Sequence, residues 1–239
     1  YGVSFSISLS NQKPSTDTLA VDMENEPFRD EAGQLLFRPG GHGALIENLN
    51  DLEEDIVFIK NIDNVVPDRL KQETYLYKKV LGGFLLRIRQ QVNEYLSALE
   101  YGSAQEPQFS DMVRFIEQEL GGKVHKDFDA LALEEKKRIL FQKLHRPIRV
   151  CGMVKNVGEP GGGPFWVQDR DGDISLQIVE SSQMDLNDAE QKMIMQQATH
   201  FNPVDLACSL TDHKGEPYDL RKFVDPETGF ISIKSHGGT

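Results

Sequence analysis

The sequence predicts an α/β fold that carries an all-helical insertion, and two observations lead to this prediction. The first is the order glycine-rich loop, helix, apolar strand and acidic strand end between residues 37 and 64. The second is a long helical pattern that begins near Asp68 and is followed, past the middle of the chain, by strand patterns. We therefore expect an α/β core formed by residues 1–67 and 146–239, with residues 68–145 inserted as helices.

The N-terminal part contains the patterns on which the α/β prediction depends. Residues 4–9 alternate polar and apolar side chains, which is the period of a half-buried strand. Residues 35–37 can form a short strand that leads into the glycine loop, and a helix is expected from residue 44 to about residue 54. The run Ile-Val-Phe-Ile at residues 56–59 is typical of a strand that is buried on both faces of a sheet.

The middle of the chain is predicted to be helical throughout. From residue 68 to about residue 100 apolar residues recur every three or four positions, which is the stripe of one long amphipathic helix. Gly82 and Gly83 interrupt this stripe and indicate a kink or a close helix contact. We expect a second helix over residues 110–120, with Ser110 as its N-cap, and a third over residues 133–144.

Strand patterns return in the C-terminal part. We expect strands over residues 148–154, 174–180 and 204–210, with a helix over residues 185–198 between the last two. Residues 155–166 are rich in Gly and Pro and are predicted to form a shaped loop without regular structure.

Composition excludes several classes of function. The net charge of −12 over 239 residues argues against a nucleic-acid or anionic-membrane surface, because such surfaces are bound by clustered Lys and Arg. No run approaches the ~18 apolar residues of a membrane helix. Cys151 and Cys208 form no CxxC pair, so we expect reduced core thiols in a cytoplasmic protein. The chain starts at Tyr1 rather than Met, and we expect it to be a piece of a longer protein.

Two patterns near the start of the chain are candidates for ligand binding. Gly40, Gly41 and Gly43 offer backbone N–H groups that can surround a phosphate or a base edge, but the same residues also suit a tight turn. His42 alone is more often a turn residue than a catalyst. Asp63, after the apolar strand, is placed as a Mg²⁺ ligand would be, or it caps the turn that follows.

Three further candidates lie in the C-terminal part. Lys155, at the edge of the second glycine-rich loop, can neutralise a transferring phosphoryl group or can simply be solvated. Glu180 ends an alternating strand and can accept hydrogen bonds from sugar hydroxyls, or it is an exposed carboxylate at a sheet edge. Asn202 can contact the same ligand or start a turn.

These residues resemble two protein families. Residues 38–43 and 61–64 are similar to the proline- and glycine-rich loop and the Asp-Asn strand end of the eukaryotic-type UDP-sugar pyrophosphorylases, and residues 154–156, 172–180 and 201–202 continue the resemblance in order. Nearly the whole chain also resembles an uncharacterised bacterial family known only as a domain of unknown function. The sequences Phe-Arg-Pro-Gly-Gly-His-Gly-Ala-Leu-Ile and His-Phe-Asn-Pro-Val-Asp carry this second resemblance.

The pyrophosphorylase resemblance implies a fold, a cofactor and a set of site residues. The fold would be of the nucleotide-diphospho-sugar transferase type, a mixed, mostly parallel sheet flanked by helices. The nucleotide would lie against Gly40, Gly41 and His42, Mg²⁺ would bind Asp63, phosphate would contact Lys155, and the sugar would lie against Glu180 and Asn202. His42 and Lys155 are the expected catalytic residues.

The function implied is a Mg²⁺-dependent nucleotidyltransferase. A sugar 1-phosphate oxygen would attack the α-phosphorus of a nucleoside triphosphate, and pyrophosphate would leave. The triphosphate-gripping Gly- and Arg-containing loop of the pyrophosphorylases is absent here, so it lies upstream of Tyr1 or the activity is lost. The alternatives are a non-catalytic module that binds a nucleotide sugar or another metabolite, and an interaction protein that uses the helical insertion. The base, the sugar and the oligomeric state stay open.

Overall fold

A computed structural model describes residues 2–158 and 161–231 of the chain. The chain divides into two compact units. The first unit is Tyr1–Glu54 with Asp219–Val224, and the second unit is Asp55–Tyr218 with Asp225–Thr239.

Short strands and a few long helices make up the regular structure of the described residues. The strands are β1 (Thr18–Leu19), β2 (Phe37–Arg38), β3 (Ile56–Lys60), β4 (Ile148–Cys151), β5 (Val154–Lys155), β6 (Gly163–Gln168), β7 (Ile174–Val179), β8 (His200–Phe201) and β9 (Asp205–Ser209). The α-helices are α1 (Ile46–Asn50), α2 (Lys71–Glu100), α3 (Glu106–Gln118), α4 (Leu133–Leu144) and α5 (Ala189–Gln196).

The first unit is built from turns and short antiparallel pairs. β1 pairs with β2, and the chain between them folds back twice through turns that begin at Asp22 and Asp30. In each turn the Asp carboxylate accepts two backbone N–H groups, which is the usual way in which Asp stabilises a tight turn. The strand predicted over residues 4–9 is wrong, since this segment forms no ladder and Leu9 is 98% exposed.

The hydrophobic core of the second unit lies between α2, α3 and α4. The core side chains that these helices contribute are Ile88, Val92, Leu96, Leu99, Phe109, Met112, Phe115, Ile116, Leu140 and Leu144. The predicted helices over residues 68–100 and 133–144 are confirmed. The predicted N-cap at Ser110 is wrong because the N-cap of α3 is Gln105, five residues earlier, which forms a reciprocal capping box with Gln108.

A three-stranded antiparallel sheet packs against α2. Its order is β3-β9-β4, with Phe58 opposite Ala207 and Ala207 opposite Val150. Ala207 is fully buried in the central strand, whereas Phe58 in the edge strand β3 is 48% exposed. A Cβ added to Gly82 of α2 would lie 2.9 Å from Cζ of Phe58, so this glycine allows the helix to approach the sheet closely.

The predicted fold class is wrong. The sheets of the described residues have two or three strands each and all their pairings are antiparallel, so the chain does not have the mostly parallel sheet of a nucleotide-diphospho-sugar transferase. The reason lies in the apolar run at residues 56–59. An edge strand of a small sheet that packs on a helix can carry the same apolar residues as a strand that is buried in a parallel sheet. The composition of a strand does not show whether its partner runs parallel or antiparallel to it.

A β-hairpin and a two-stranded ladder complete the second unit. β6 pairs with β7 from Gly163 opposite Val179 to Gln168 opposite Ile174, and β5 pairs with β8. The strand predicted over residues 174–180 is confirmed. The loop predicted over residues 155–166 is only partly correct, because β6 begins inside it; residues 159 and 160 lie outside the described part of the chain.

None of the helices in the described part of the chain combines the length and the apolar composition that a membrane-spanning segment requires.

The two cysteines give the first testable prediction. Both are free thiols, and burial raises the pKa of Cys208 to about 11 and raises the pKa of Cys151 as well. With a pKa of about 11, only about one thiol in a thousand is ionised at pH 8. We expect a disulfide-exchange reagent at pH 8 to react slowly with the native protein and rapidly with two thiols in denaturant, and we expect the native rate to increase as the pH approaches 11. Rapid reaction of both thiols of the native protein at pH 8 would contradict the burial of Cys208.

Candidate functional site

Two lysines converge on one carboxylate at the start of the central strand. Lys60, at the end of β3, places Nζ 3.1 Å from Oδ2 of Asp205, and Lys78 of α2 donates to Oδ1 of the same residue. The three side chains come from a strand, a helix and the neighbouring strand, and they are only 18–23% exposed. We call this arrangement the lysine clamp; it joins the sheet to α2 through charge-assisted hydrogen bonds.

The clamp changes the acidity of Asp205. Burial by itself raises the pKa of this carboxyl, but the hydrogen bonds and charges of Lys78 and Lys60 outweigh it and hold the pKa below its ordinary value. Because the pKa is lower in the folded chain, the stabilisation is complete above the ordinary pKa of the carboxyl. It is lost as the pH falls through the lowered value.

The turn that precedes Asp205 is strained and firmly held. Val204 has a φ of 56°, in the left-handed region that β-branched residues rarely adopt. The buried Asn202 side chain fixes this turn, since its Nδ2 donates to the Gly152 carbonyl at 2.6 Å and its Oδ1 accepts the Val204 N–H at 3.0 Å. Asn64 donates to the Pro203 carbonyl from the other side. Strained backbone held by its surroundings is common at functional sites.

The glycine loop lies in the first unit. A short 3₁₀ turn, His42–Leu45, follows it and leads into α1. The side-chain amide of Gln12, in the orientation that matches its neighbours, accepts the Gly40 N–H at 2.9 Å and donates to the Gly40 carbonyl at 3.0 Å. Gly41 is the N-cap residue of the 3₁₀ turn. One N–H of the loop is therefore engaged inside the first unit.

The other predicted residues lie in the second unit. Lys155 is exposed and stands opposite His200 in the β5–β8 pair. Glu180 caps the 3₁₀ turn Ser181–Gln183 in a capping box with Gln183. Glu180 and Asn202 both lie beside Gly162, because Asn202 N–H donates to its carbonyl at 2.8 Å and a Cβ added to it would lie 3.4 Å from Cγ of Glu180.

Asp63 lies in the 3₁₀ turn Ile62–Asn64 and is exposed. Within residues 2–158 and 161–231, only His145, Asp212 and His213 bring three metal-ligating side chains within 4.8 Å of one another, and Asp63 does not belong to this group. Its assignment as a Mg²⁺ ligand therefore stays a prediction that depends on oxygens supplied by a ligand.

The sequence did not single out the lysine clamp. Lys78 is one of several charged residues along α2, and Asp205 is 127 residues away from it in the chain. Only the pairing of β3 with β9 brings Lys60 and Asp205 into register. The segment His-Phe-Asn-Pro-Val-Asp carries a family resemblance and contains the candidate Asn202, but nothing in its sequence distinguishes Asp205.

The strained turn gives the second prediction. We expect Val204→Gly to raise the free energy of unfolding by about 1 kcal/mol, because glycine adopts positive φ without a clash. Val167→Gly is the matched control, since Val167 is similarly half-buried but lies in β6. It should lower the free energy of unfolding by about 1 kcal/mol or more. Urea denaturation measures both, and an equal loss of stability in the two variants would show that Val204 is not strained.

Comparison with known proteins assigns the chain to a family but not to an activity. Neither the curated proteins nor the solved structures contain a match to it. The expected similarity to the UDP-sugar pyrophosphorylases is not supported by any of the comparisons. A family match covers residues 1–239, the whole of the sequence. The resemblance to an uncharacterised family is thereby confirmed, and the chain belongs to the family described as Domain of unknown function (DUF4301).

Proposed function

We propose that the second unit binds a small phosphorylated metabolite, a nucleotide or a sugar phosphate, at the lysine clamp. The observation that carries the proposal is the convergence of Lys60 and Lys78 on the single carboxylate of Asp205. Two ammonium groups face one carboxylate, so the clamp has a local excess of positive charge in a chain whose net charge is −12. A local cation pair of this kind attracts a small anion, whereas the net charge repels a polyanion.

The ammonium groups of Lys60 and Lys78 have N–H donors that their bonds to Asp205 do not use. Each lysine has three donors, and the bond to Asp205 uses one of them. The remaining donors can reach phosphate oxygens, and Asp205 keeps both ammonium groups in place before a ligand arrives. Partial burial strengthens such contacts, because charges interact more strongly away from bulk water.

The turn after β3 offers groups suited to the rest of a phosphorylated ligand. Asn61 and Asp63 are exposed and follow Lys60 directly in the chain. Asp63 would share a Mg²⁺ ion with the phosphate oxygens, since Mg²⁺ is commonly bound by one or two carboxylates together with substrate phosphates. In this proposal the ion accompanies the ligand and does not bind the protein on its own.

A sugar-nucleotide pyrophosphorylase reaction is the narrower candidate. The position of Glu180 and Asn202 beside the same glycine, Gly162, favours it, because the resemblance assigns both to the sugar. The amide of Asn202 already holds the turn before Asp205, so Glu180 is the side chain that would contact the sugar hydroxyls. Lys155, which also lies in the second unit, would contact phosphate in this reaction. We propose binding first and catalysis second, because the described residues do not form the mostly parallel sheet of the pyrophosphorylases, the family that suggested the reaction.

The binding proposal predicts a specific effect of charge removal. Lys78→Met should weaken binding of UTP or of glucose 1-phosphate, with Mg²⁺ present, by about 10- to 100-fold, the value of one or two charge-assisted hydrogen bonds. Lys79→Met, at the exposed neighbouring position of α2, is the matched control and should bind as the unaltered chain does. Isothermal titration calorimetry measures both, and thermal unfolding of each variant checks that the fold is kept.

Two results would contradict the proposal. One is that neither UTP, glucose 1-phosphate nor inorganic pyrophosphate binds the unaltered chain. The other is that Lys78→Met and Lys79→Met weaken binding equally. Release of pyrophosphate from UTP and glucose 1-phosphate, measured in the same samples, separates the catalytic candidate from a module that only binds.

A further inference from the structure

We propose that His145, Asp212 and His213 form a binding site for one divalent transition-metal ion, with Zn²⁺ as the preferred ion. A ring nitrogen of each histidine and a carboxylate oxygen of Asp212 lie within 4.8 Å of one another. We call this group the His-Asp-His cluster. It contains none of the residues of the lysine clamp, and it is independent of the proposed phosphate site.

His213 has a buried nitrogen that no group in the described chain satisfies. Its side chain is 3% exposed, and Nδ1 has no hydrogen-bond partner. Buried polar atoms are almost always hydrogen-bonded, so each exception needs an explanation. A metal ion that accepts the lone pair of Nδ1 supplies one.

The other nitrogen of His213 is held as it is in known metal sites. Nε2 lies 2.9 Å from Oε2 of Glu100, and the same carboxylate also accepts a hydrogen bond from Lys214. A carboxylate in this position keeps the proton on Nε2 and directs the lone pair of Nδ1 to the opposite side of the ring. Histidine ligands of metals characteristically donate their second N–H to a carboxylate or a carbonyl in this way.

Asp212 has one oxygen fixed by a turn and one left for a ligand. Its Oδ1 accepts the N–H groups of Lys214 and Glu216, at 2.8 and 3.0 Å. Asp169 makes the same pair of bonds in its own turn, at 3.0 and 2.9 Å, and does not belong to the His-Asp-His cluster. The turn therefore accounts for Oδ1 of Asp212, whereas Oδ2 points to His145.

The separation between His145 and Asp212 suits a shared ion better than a direct hydrogen bond. Nε2 of His145 lies 3.5 Å from Oδ2 of Asp212, longer than the usual ~2.9 Å of such a bond. Two ligands that bind Zn²⁺ at about 2.0–2.1 Å in a tetrahedron lie roughly 3.4 Å apart. The ligand nitrogen of His213 lies within 4.8 Å of the other two ligand atoms, and small side-chain rotations would bring it to the same separation of roughly 3.4 Å.

Aromatic packing orients the His145 ring. It stacks on Phe141 with centroids 5.0 Å apart and meets the edges of Tyr218 and His213 at 5.2 and 6.0 Å. Its side chain is 34% exposed, so an ion can enter from solvent. Two imidazoles and one carboxylate suit Zn²⁺ better than Mg²⁺, and three protein ligands leave a fourth position for water.

The proposal is tested by metal titration of the purified full chain after treatment with a chelator. We expect one equivalent of Zn²⁺ to bind with micromolar or higher affinity in competition with a chromophoric chelator, and one equivalent of Co²⁺ to give the visible absorption of a four-coordinate site. Asp212→Asn and His213→Gln should each weaken Zn²⁺ binding at least tenfold, and Glu100→Gln should weaken it about tenfold through His213.

Matched variants separate metal binding from loss of structure. Asp212→Asn keeps an oxygen acceptor for the turn, and Asp169→Asn makes the same change in the same kind of turn outside the cluster. His200→Gln removes a histidine elsewhere in the second unit. Both controls should bind Zn²⁺ unchanged. The proposal is overturned if no Zn²⁺ binds, or if the control variants lose binding as much as Asp212→Asn and His213→Gln do.

Discussion

The ion pairs of Asp205 with Lys60 and Lys78 are the interaction that fixes the strands β3 and β9 and the helix α2 around the proposed phosphate site. They hold the first residue of the central strand between the end of β3 and the long helix α2. The turn before this residue stores backbone strain at Val204. Without the two ammonium groups, the partly buried carboxylate would be unpaired, and the strained turn would lose the anchor on its C-terminal side.

The central strand β9 connects the two sites that we propose. It begins at the lysine clamp and ends at Ser209, three residues before Asp212. Its middle is buried between β3 and β4 and against α2, so its ends have fixed positions. A cation-rich group therefore stands at one end of one rigid strand, and a group of metal ligands follows its other end.

Periodicity predicted the elements of the chain much better than their arrangement. α2 and α4 were predictable because an apolar stripe over many turns has no other interpretation, and β7 was predictable from its alternation. The direction of strand pairing has no such local signal, and the chain was wrongly assigned a mostly parallel sheet for that reason. Residues 4–9 show that alternation alone is not sufficient for a strand. Their side chains alternate between polar and apolar, but no other strand pairs with this segment, and it does not form one.

The candidate sites were less predictable than the individual helices and strands because the residues of each site are far apart in the sequence. His145 and Asp212 are separated by 67 residues, so no metal-binding spacing could connect them. The role of Asn202 as a sugar ligand stays a prediction, and the structure adds that both of its amide atoms hold the turn before Asp205. Charged residues on different strands and helices can be recognised as one site only after the pairing of the strands is known.

The direct test of the lysine clamp is the titration of the Asp205 carboxyl, followed by ¹³C NMR in the unaltered chain and in Lys78→Met. The lysine clamp predicts a midpoint below the ordinary aspartate value of about 3.9 in the unaltered chain, and a higher midpoint once the Lys78 ammonium is removed. The stabilisation of the Asp205 carboxylate by the lysine clamp would be contradicted if the midpoint lay at or above the ordinary value and if Lys78→Met did not change it.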